Sequence, residues 1–315
     1  MRALVLALML LATPLAAQSF RHAWPNTDFE RASVPVEEIM SGGVPRDGIP
    51  ALTDPEMIPV GTADLPGNEP VMTVELPGAE PRAYPLRYLT WHEIVNDTVA
   101  GRPIAVTYCP LCNSGLVFDR RAGDRVLEFG VSGLLRHSDM VMYDRETETL
   151  WQQFTGEAIV GTLLGAKLTQ VVSWMEPVSA FAARHPEGLV MAEPRAARPY
   201  GLNPYESYDS AARPFLFTGD MPPNDIEPLA RVLRVGNRAW PLMRLMDGPV
   251  EEAGLRIEWR PGMASALDAR SIAGSRDVGF VRVTDAETGA DVIHEVVFAF
   301  AFHAFAPQGQ WMLGE

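Results

Sequence analysis

Short runs of alternating or continuous apolar residues cover most of the chain, and turn residues separate them. Residues 71–76 alternate, a Pro-Gly turn follows, and residues 82–86 return, which predicts a hairpin. Residues 103–108 form a continuous apolar run of strand length. Residues 115–121 and 125–131 predict a second hairpin. The pattern therefore indicates a protein rich in short strands.

Helical periodicity is confined to two places. Residues 89–96 predict a short helix with Thr90 as its N-cap, and residues 177–185 predict a helix with proline in its first turn. Residues 24–70 are rich in proline and acidic residues and show little periodicity, which predicts an ordered but irregular wrap.

An internal repeat relates the two halves of the chain. Arg82-Ala-Tyr-Pro-Leu86 is echoed by Arg238-Ala-Trp-Pro-Leu242, and each follows an alternating strand. Ile104-Ala-Val-Thr-Tyr-Cys-Pro110 is echoed by Leu255-Arg-Ile-Glu-Trp-Arg-Pro261. The second copy is shorter and carries Arg260 and Met263 in place of the two cysteines of the first copy.

These patterns predict a β-rich α+β fold of two related strand-turn lobes, the second a degenerate copy of the first, with short helices and an irregular N-terminal wrap. The predicted segments are a signal peptide (1–17), the Pro-rich wrap (18–70), the first lobe (71–200) and the second lobe (201–315).

The N-terminus has the pattern of a secretory signal peptide. Arg2 is followed by an apolar run over residues 3–12 and by small residues up to Ala17, which predicts cleavage before Gln18. The expected location is the bacterial periplasm or the medium. The later apolar runs are too short to span a bilayer, so no membrane anchor is expected.

The net charge of the chain argues against some classes of function. The 315 residues contain 40 acidic and 26 basic side chains, a formal net charge of −14. Binding to nucleic acid requires clustered basic residues, so a nucleic-acid partner is not expected. The sequence has no phosphate-binding glycine loop and no dinucleotide fingerprint, so no nucleotide cofactor is expected.

The two cysteines of the chain, Cys109 and Cys112, form a Cys-Pro-Leu-Cys pair at the end of the apolar run 103–108. Such a pair serves as half of a metal site, as a redox dithiol or as a structural disulfide. Two thiolates fill half of a tetrahedral zinc site, and thiolates with imidazole or thioether also suit copper.

A metal site built on Cys109 and Cys112 needs further ligands. The candidates are His92, His137, Asp139, Glu93 and a methionine. His92 is the first of them, because its predicted helix directly precedes the cysteine strand, and His137 is the second. We expect one copper or zinc ion. The expected polar rim of the site consists of Glu93, Asn96, Ser138, Asp139, Asp144 and Arg120.

Two other functions stay open. In a thiol-disulfide oxidoreductase, Cys109 would be the nucleophile and Cys112 the resolving thiol, although strand-like residues follow the pair where a helix is usual. In a module that binds another exported protein, the cysteines would form a structural disulfide. The sequence does not indicate the oligomeric state.

Several blocks of this chain resemble the bacterial and archaeal domain-of-unknown-function 3179 family. The blocks are Pro45-Arg-Asp-Gly-Ile-Pro-Ala-Leu52, Ala83-Tyr-Pro-Leu86, Trp91-His-Glu-Ile-Val-Asn-Asp97, Thr107-Tyr-Cys-Pro-Leu-Cys112, Phe129-Gly-Val-Ser-Gly-Leu-Leu135, Ser138-Asp139 and Met142-Tyr-Asp-Arg145. The resemblance implies an exported or surface protein centred on the cysteine pair. It assigns no reaction. His137 departs from the pattern, which has asparagine before Ser-Asp.

Overall fold

A computed structural model describes residues 20–314 of the chain. The predicted signal peptide at 1–17 lies outside the described residues. The described chain forms five sheets of three to five strands, arranged as the blades of a five-bladed β-propeller, and one two-stranded ribbon. No helix within residues 20–314 has both the length and the apolar character needed to cross a bilayer.

Three sheets come mainly from the first half of the chain. The strand order of sheet I is β1 (Ile39–Ser41), β11 (Phe129–Arg136), β12 (Asp139–Asp144), β13 (Leu150–Gln152) and β14 (Glu157–Val160). The order of sheet II is β15 (Gln170–Val171), β8 (Ser114–Asp119), β7 (Arg102–Cys109), β6 (Ile94–Val99) and β2 (Leu52–Thr53). The order of sheet III is β16 (Ser173–Pro177), β4 (Pro70–Val74), β5 (Arg82–Pro85), β17 (Leu189–Met191) and β3 (Met57–Pro59).

The second half supplies the other two sheets. The order of sheet IV is β23 (Glu295–Phe298), β18 (Arg231–Val235), β19 (Arg238–Pro241) and β24 (Gln310–Trp311). The order of sheet V is β20 (Val250–Glu252), β21 (Leu255–Arg260) and β22 (Phe280–Asp285). The ribbon consists of β9 (Arg121–Ala122) and β10 (Arg125–Val126).

The helices of the described chain are short. The α-helices are α1 (Leu86–His92), α2 (Val178–Arg184) and α3 (Ala299–Phe305). The 3₁₀ helices are Arg21–Ala23, Val36–Glu38, Val60–Thr62, Tyr208–Ser210, Leu242–Leu245 and Ile272–Gly274.

The predicted two-lobed α+β fold was wrong. The three α-helices of residues 20–314 have only seven residues each. One hydrophobic core runs through both predicted lobes, from Tyr108 and Phe118 to Trp240 and Phe298. β8 of sheet II lies against β23 of sheet IV, so the two halves of the chain share their packing surfaces. The N-terminal segment also joins the sheets, because β1, β2 and β3 are edge strands of sheets I, II and III.

The sequence repeat coincides with a repeat of strand order. In sheet III, β16 and β17 flank the β4–β5 hairpin, with β16 antiparallel to β4 and β17 parallel to β5. In sheet IV, β23 and β24 flank the β18–β19 hairpin with the same directions. The two copies therefore build matching sheets of one propeller.

Local predictions had mixed outcomes. The hairpin of residues 71–86 and the helix at 177–185 are confirmed as β4–β5 and α2. The second predicted hairpin is confirmed only around its turn, where β9 and β10 pair antiparallel across residues 123–124. Its longer strands pair elsewhere, β8 with β7 and β11 with β12. The predicted helix at 89–96 was also misplaced: α1 starts after Pro85 and ends at His92, and the following residues form β6. Thr90 lies inside α1 and does not cap it.

Candidate functional site

The two cysteines lie at the tight connection between β7 and β8. Cys109 is the last residue of β7 and pairs with Ser114, the first residue of β8. Within the turn, the backbone N–H of Cys112 donates to the Cys109 carbonyl at 3.3 Å, and Asn113 adopts a φ of 50°, which asparagine tolerates better than most residues. Both thiols are free in the structure and buried, with 2% of Cys109 and none of Cys112 exposed.

A second hairpin brings Asp139 to these thiols. Arg136 of β11 pairs with Asp139 of β12 across a two-residue turn, in which His137 and Ser138 have φ values of 51° and 64°. Positive φ at both central positions is the geometry of a type I′ hairpin turn. The Cys109 thiol donates to the Ser138 carbonyl at 3.9 Å. The two Sγ atoms and a carboxylate oxygen of Asp139 all lie within 4.8 Å of one another.

Neutral donors surround the Asp139 carboxylate. Its Oδ2 accepts from the side-chain amide of Gln152 at 2.6 Å and from the backbone N–H of Phe154 at 3.0 Å. Oδ1 lies 3.5 Å from the Ser114 hydroxyl, which has a closer acceptor in Gln153 Oε1 at 2.8 Å. Burial raises the pKa of Asp139 to about 6, against the opposing effect of these donors and of the two thiols. Among residues 20–314, no cationic side chain pairs with Asp139 to offset its burial.

Burial raises the thiol pKa values as well. Desolvation is the main reason that the pKa values of Cys109 and Cys112 are both raised. The hydrogen bond and charge of Cys109 raise the pKa of Cys112 further, and the nearby charge of Asp139 raises both pKa values. The cluster of Cys109, Cys112 and Asp139 thus holds neutral thiols around a carboxylate. A bound cation would reverse this preference, because it stabilises the thiolate and carboxylate forms.

Glu93 is a strained, buried carboxyl group near the cluster. It follows the last residue of α1 and has φ 58° and ψ −32°, outside the regions that L-residues favour. Burial raises the pKa of Glu93 to about 7; the Tyr205 hydroxyl, which donates to it at 3.4 Å, lowers this pKa, and the charge of Asp139 raises it. Strained backbone and a perturbed carboxyl group together are typical of functional sites.

The structure does not bring the predicted histidine ligands into the cluster. The two ring nitrogens of His92 lie 2.7 Å from the Pro50 carbonyl and 2.6 Å from the Tyr200 hydroxyl. His137 projects from its turn with Nε2 3.4 Å from a Glu38 carboxylate oxygen. Burial lowers the pKa of both histidines. Instead of either histidine, the predicted rim residue Asp139 lies with the two thiols.

The other predicted rim residues divide into two groups. Ser138 and Glu93 lie beside the cluster, as described above. Asn96, in β6, bridges to β11 by exchanging two hydrogen bonds with the Phe129 backbone. Arg120 donates to three backbone carbonyls, and Asp144 accepts from the Trp151 indole at 2.9 Å. These last three residues hold strands together.

Sequence reasoning missed a tyrosine-rich segment that covers the cluster. The Tyr208 hydroxyl donates to the carbonyl of Leu111, which lies between the cysteines, and accepts from the backbone N–H of Phe215. Three tyrosines within residues 200–208 were the signal for this segment. A cleft of about 500 Å³ lies between it and β11, and Glu93, Leu111 and Met140 also line this cleft.

Comparisons with known proteins give one match. A family model described as "Protein of unknown function (DUF3179)" matches residues 46–309. A search of curated proteins and a search of solved structures found no match. The matched range includes Cys109, Cys112, Asp139 and Glu93 and covers most of the chain, and the resemblance noted from the sequence blocks is confirmed. The chain belongs to the DUF3179 family.

Proposed function

We propose that this protein binds one transition-metal ion, preferentially Zn²⁺, through the two thiolates of Cys109 and Cys112 and the carboxylate of Asp139. The observation that carries the proposal is the convergence of these three donor atoms, all within 4.8 Å of one another, at a buried point where three strands end or begin. Zinc accepts both donor types, thiolate and carboxylate, in proteins.

The donor set favours zinc over copper. Cu(I) selects soft sulfur ligands, whereas a carboxylate oxygen is a harder ligand that suits Zn²⁺. Charge favours zinc too. Two thiolates and one carboxylate carry three negative charges, and a divalent ion neutralises more of that charge in a buried site than a monovalent ion does.

A buried polar atom beside the cluster is consistent with a bound group. Gln152 donates its amide N–H to Asp139, and its own Oε1 is buried without a hydrogen-bond partner among the described residues. Zinc with three protein ligands takes a fourth ligand from water or substrate. A buried acceptor next to the site can accept a hydrogen bond from such a ligand, which would compensate for the burial of Oε1.

Metal analysis tests the proposal. The protein is exported to a periplasm, purified without chelator or reductant, and measured by native mass spectrometry and elemental analysis. We expect one zinc per chain, and loss of it in the Cys109→Ser/Cys112→Ser double variant and in Asp139→Asn. Asp119→Asn is the matched control, because that carboxylate pairs with Arg102 and Arg121 and should leave zinc content unchanged. Full zinc in the double cysteine variant would contradict the proposal, and copper in place of zinc would contradict the preference.

The same mass measurement tests the alternative function, that of a thiol-disulfide oxidoreductase. A metal-free mass two protons light would show an oxidised cysteine pair, and a working dithiol would then be trapped as a mixed disulfide in Cys112→Ser. The burial of both sulfurs and their raised pKa values disfavour this function, since an attacking thiolate must be ionised and accessible.

Export is part of the proposal and rests on the pattern of residues 1–17. Cleavage before Gln18 should give a periplasmic protein whose N-terminal residue is Gln18. N-terminal sequencing of the fractionated protein checks this, and recovery of the full-length chain from the cytoplasm would contradict it.

A further inference from the structure

The cleft of about 500 Å³ beside the metal cluster has the size of a small-molecule site. Leu111 and Met140, which line it, are the sequence neighbours of Cys112 and Asp139. The three proposed metal ligands do not line the cleft themselves, so a ligand in the cleft would lie beside the metal site, next to Leu111 and Met140.

The walls of the cleft are largely apolar and include exposed side chains. Val44 is 37% exposed and Phe215 is 46% exposed, although both are large apolar residues. Phe215 is nevertheless held in place, since its N–H donates to the Tyr208 hydroxyl at 3.2 Å and its carbonyl accepts from the Ser138 hydroxyl at 2.5 Å. An apolar surface kept open at a fixed position is typical of a ligand site.

A bulge in β11 shapes one wall. The register of β11 against β12 shifts between Val131 and Leu134, and Gly133 adopts a φ of 75° within the shift. A Cβ atom at Gly133 would lie 2.1 Å from the Val44 carbonyl oxygen, so only glycine fits there. Bulges of this kind redirect side chains next to binding sites.

The charged side chains that line the cleft are all acidic. Its ionisable side chains, apart from tyrosines, are the carboxyls of Glu93 and Glu206, and none of its lining residues is arginine, lysine or histidine. Glu93 is only 8% exposed, and no described arginine or lysine neutralises it. Asp139 adds negative charge behind the wall. An anionic ligand would therefore be repelled, and a cationic head group would be attracted.

We infer that the cleft binds a small primary-amine cation with an apolar chain, whose ammonium group pairs with Glu93 while the chain packs on the walls around Val44 and Phe215. This inference extends the proposed function, because it names the ligand class of the cleft at the metal site.

Calorimetric titration tests the inference with three probes of equal length: hexylammonium, hexanol and hexanoate. The titrations are run at pH 8.5, where the amine is charged and Glu93, with a pKa of about 7, is ionised. Hexylammonium should bind at least about tenfold tighter than hexanoate. Glu93→Gln should reduce the affinity for hexylammonium to that for hexanol and leave hexanol binding unchanged.

Ala211 offers a matched pair of variants that do not disturb the buried site. It is exposed and lines the cleft. Ala211→Arg should weaken hexylammonium and strengthen hexanoate, and Ala211→Glu should do the opposite. Equal or tighter binding of hexanoate by the unmodified protein would overturn the inference, as would a hexylammonium affinity that neither Glu93→Gln nor the Ala211 pair changes.

The zinc content of every sample separates the two proposals. A zinc-loaded protein without the amine preference would overturn this inference alone. A protein that prefers hexylammonium but never contains metal would overturn the metal site alone.

Discussion

Replacement of Asp139 by asparagine should have opposite effects on stability and on metal binding. The substitution is nearly isosteric. The asparagine side-chain oxygen can take the place of Oδ2 and still accept from Gln152 and from the Phe154 backbone. What the substitution removes is a buried negative charge that no arginine or lysine of the described part of the chain neutralises.

The magnitude follows from the raised pKa. The pKa of Asp139 is about 6 in the folded protein and 3.8 for an unperturbed aspartate. A difference of about two pKa units corresponds to about 3 kcal/mol, which the metal-free protein loses when this carboxyl ionises. Because the folded-state pKa is the higher one, this loss is absent below pH 3.8, develops as the pH rises, and is complete above pH 6.

Thermal unfolding of metal-free protein in chelator, from pH 4 to pH 8, measures this difference. Asp139→Asn should melt about 5 °C above the unmodified protein at pH 8, and the two should converge near pH 4. Zinc affinity should fall by more than about 100-fold, since loss of even an outer-sphere partner of a metal ligand costs 10–100-fold.

Asp119→Asn is the control, and it should change the stability of the protein in the opposite direction. Hydrogen bonds from Arg121 and Arg102 lower the pKa of Asp119 to about 2, so its loss should destabilise the protein at neutral pH without changing zinc content. The reasoning about Asp139 is refuted if Asp139→Asn melts below the unmodified protein at pH 8 and still binds zinc with the original affinity.

Three further predictions concern the same region. His137→Asn should keep both the zinc content and the melting temperature, because asparagine suits the φ of 51° at this turn position; loss of zinc would make His137 a ligand after all. Gly133→Ala should cost about 2 kcal/mol or more in urea unfolding, since its Cβ would clash with the Val44 carbonyl, and an unchanged midpoint would contradict this. Zinc affinity should fall about 100-fold for each pH unit between 8 and 6, since zinc must displace a proton from each neutral thiol; chelator competition measures this, and a pH-independent affinity would contradict it.

The sequence predicted individual elements better than their assembly. The hairpin of residues 71–86 and the repeat at Arg238 were visible because their alternation and turn residues are local. The propeller was not visible, because it depends on which sheet each strand joins. Strand β17, for example, pairs with β5, which lies about a hundred residues earlier. The end of α1 was missed because the positive φ of Glu93 overrides the helical pattern around it.

The sequence predicts Cys109 and Cys112 as primary ligands, but it offers Asp139 only as a rim residue and as one of several further candidate ligands. The spacing of Cys109 and Cys112 is enough to predict that their thiols lie together. Asp139 reaches them only through a hairpin of sheet I that packs on sheet II. The prediction relied on adjacency in sequence, which favoured His92. In the structure, His92 connects Pro50 of the N-terminal wrap with Tyr200 by hydrogen bonds. Because both of its ring nitrogens are engaged, His92 is not free to bind a metal.

The distribution of carboxyl pKa values distinguishes this region from the rest of the described chain. Asp47 and Asp119 lie beside arginines, which lower their pKa values. Glu93 and Asp139 lie close together without such a partner, and burial raises both pKa values. With two neutral thiols and the strained backbone of Glu93, this arrangement destabilises the metal-free fold. A cation at the thiols and a second cationic group in the cleft would each remove part of that cost. Both proposals therefore predict that their ligand raises the melting temperature. Because the charges of Glu93 and Asp139 interact, the two increases should not simply add.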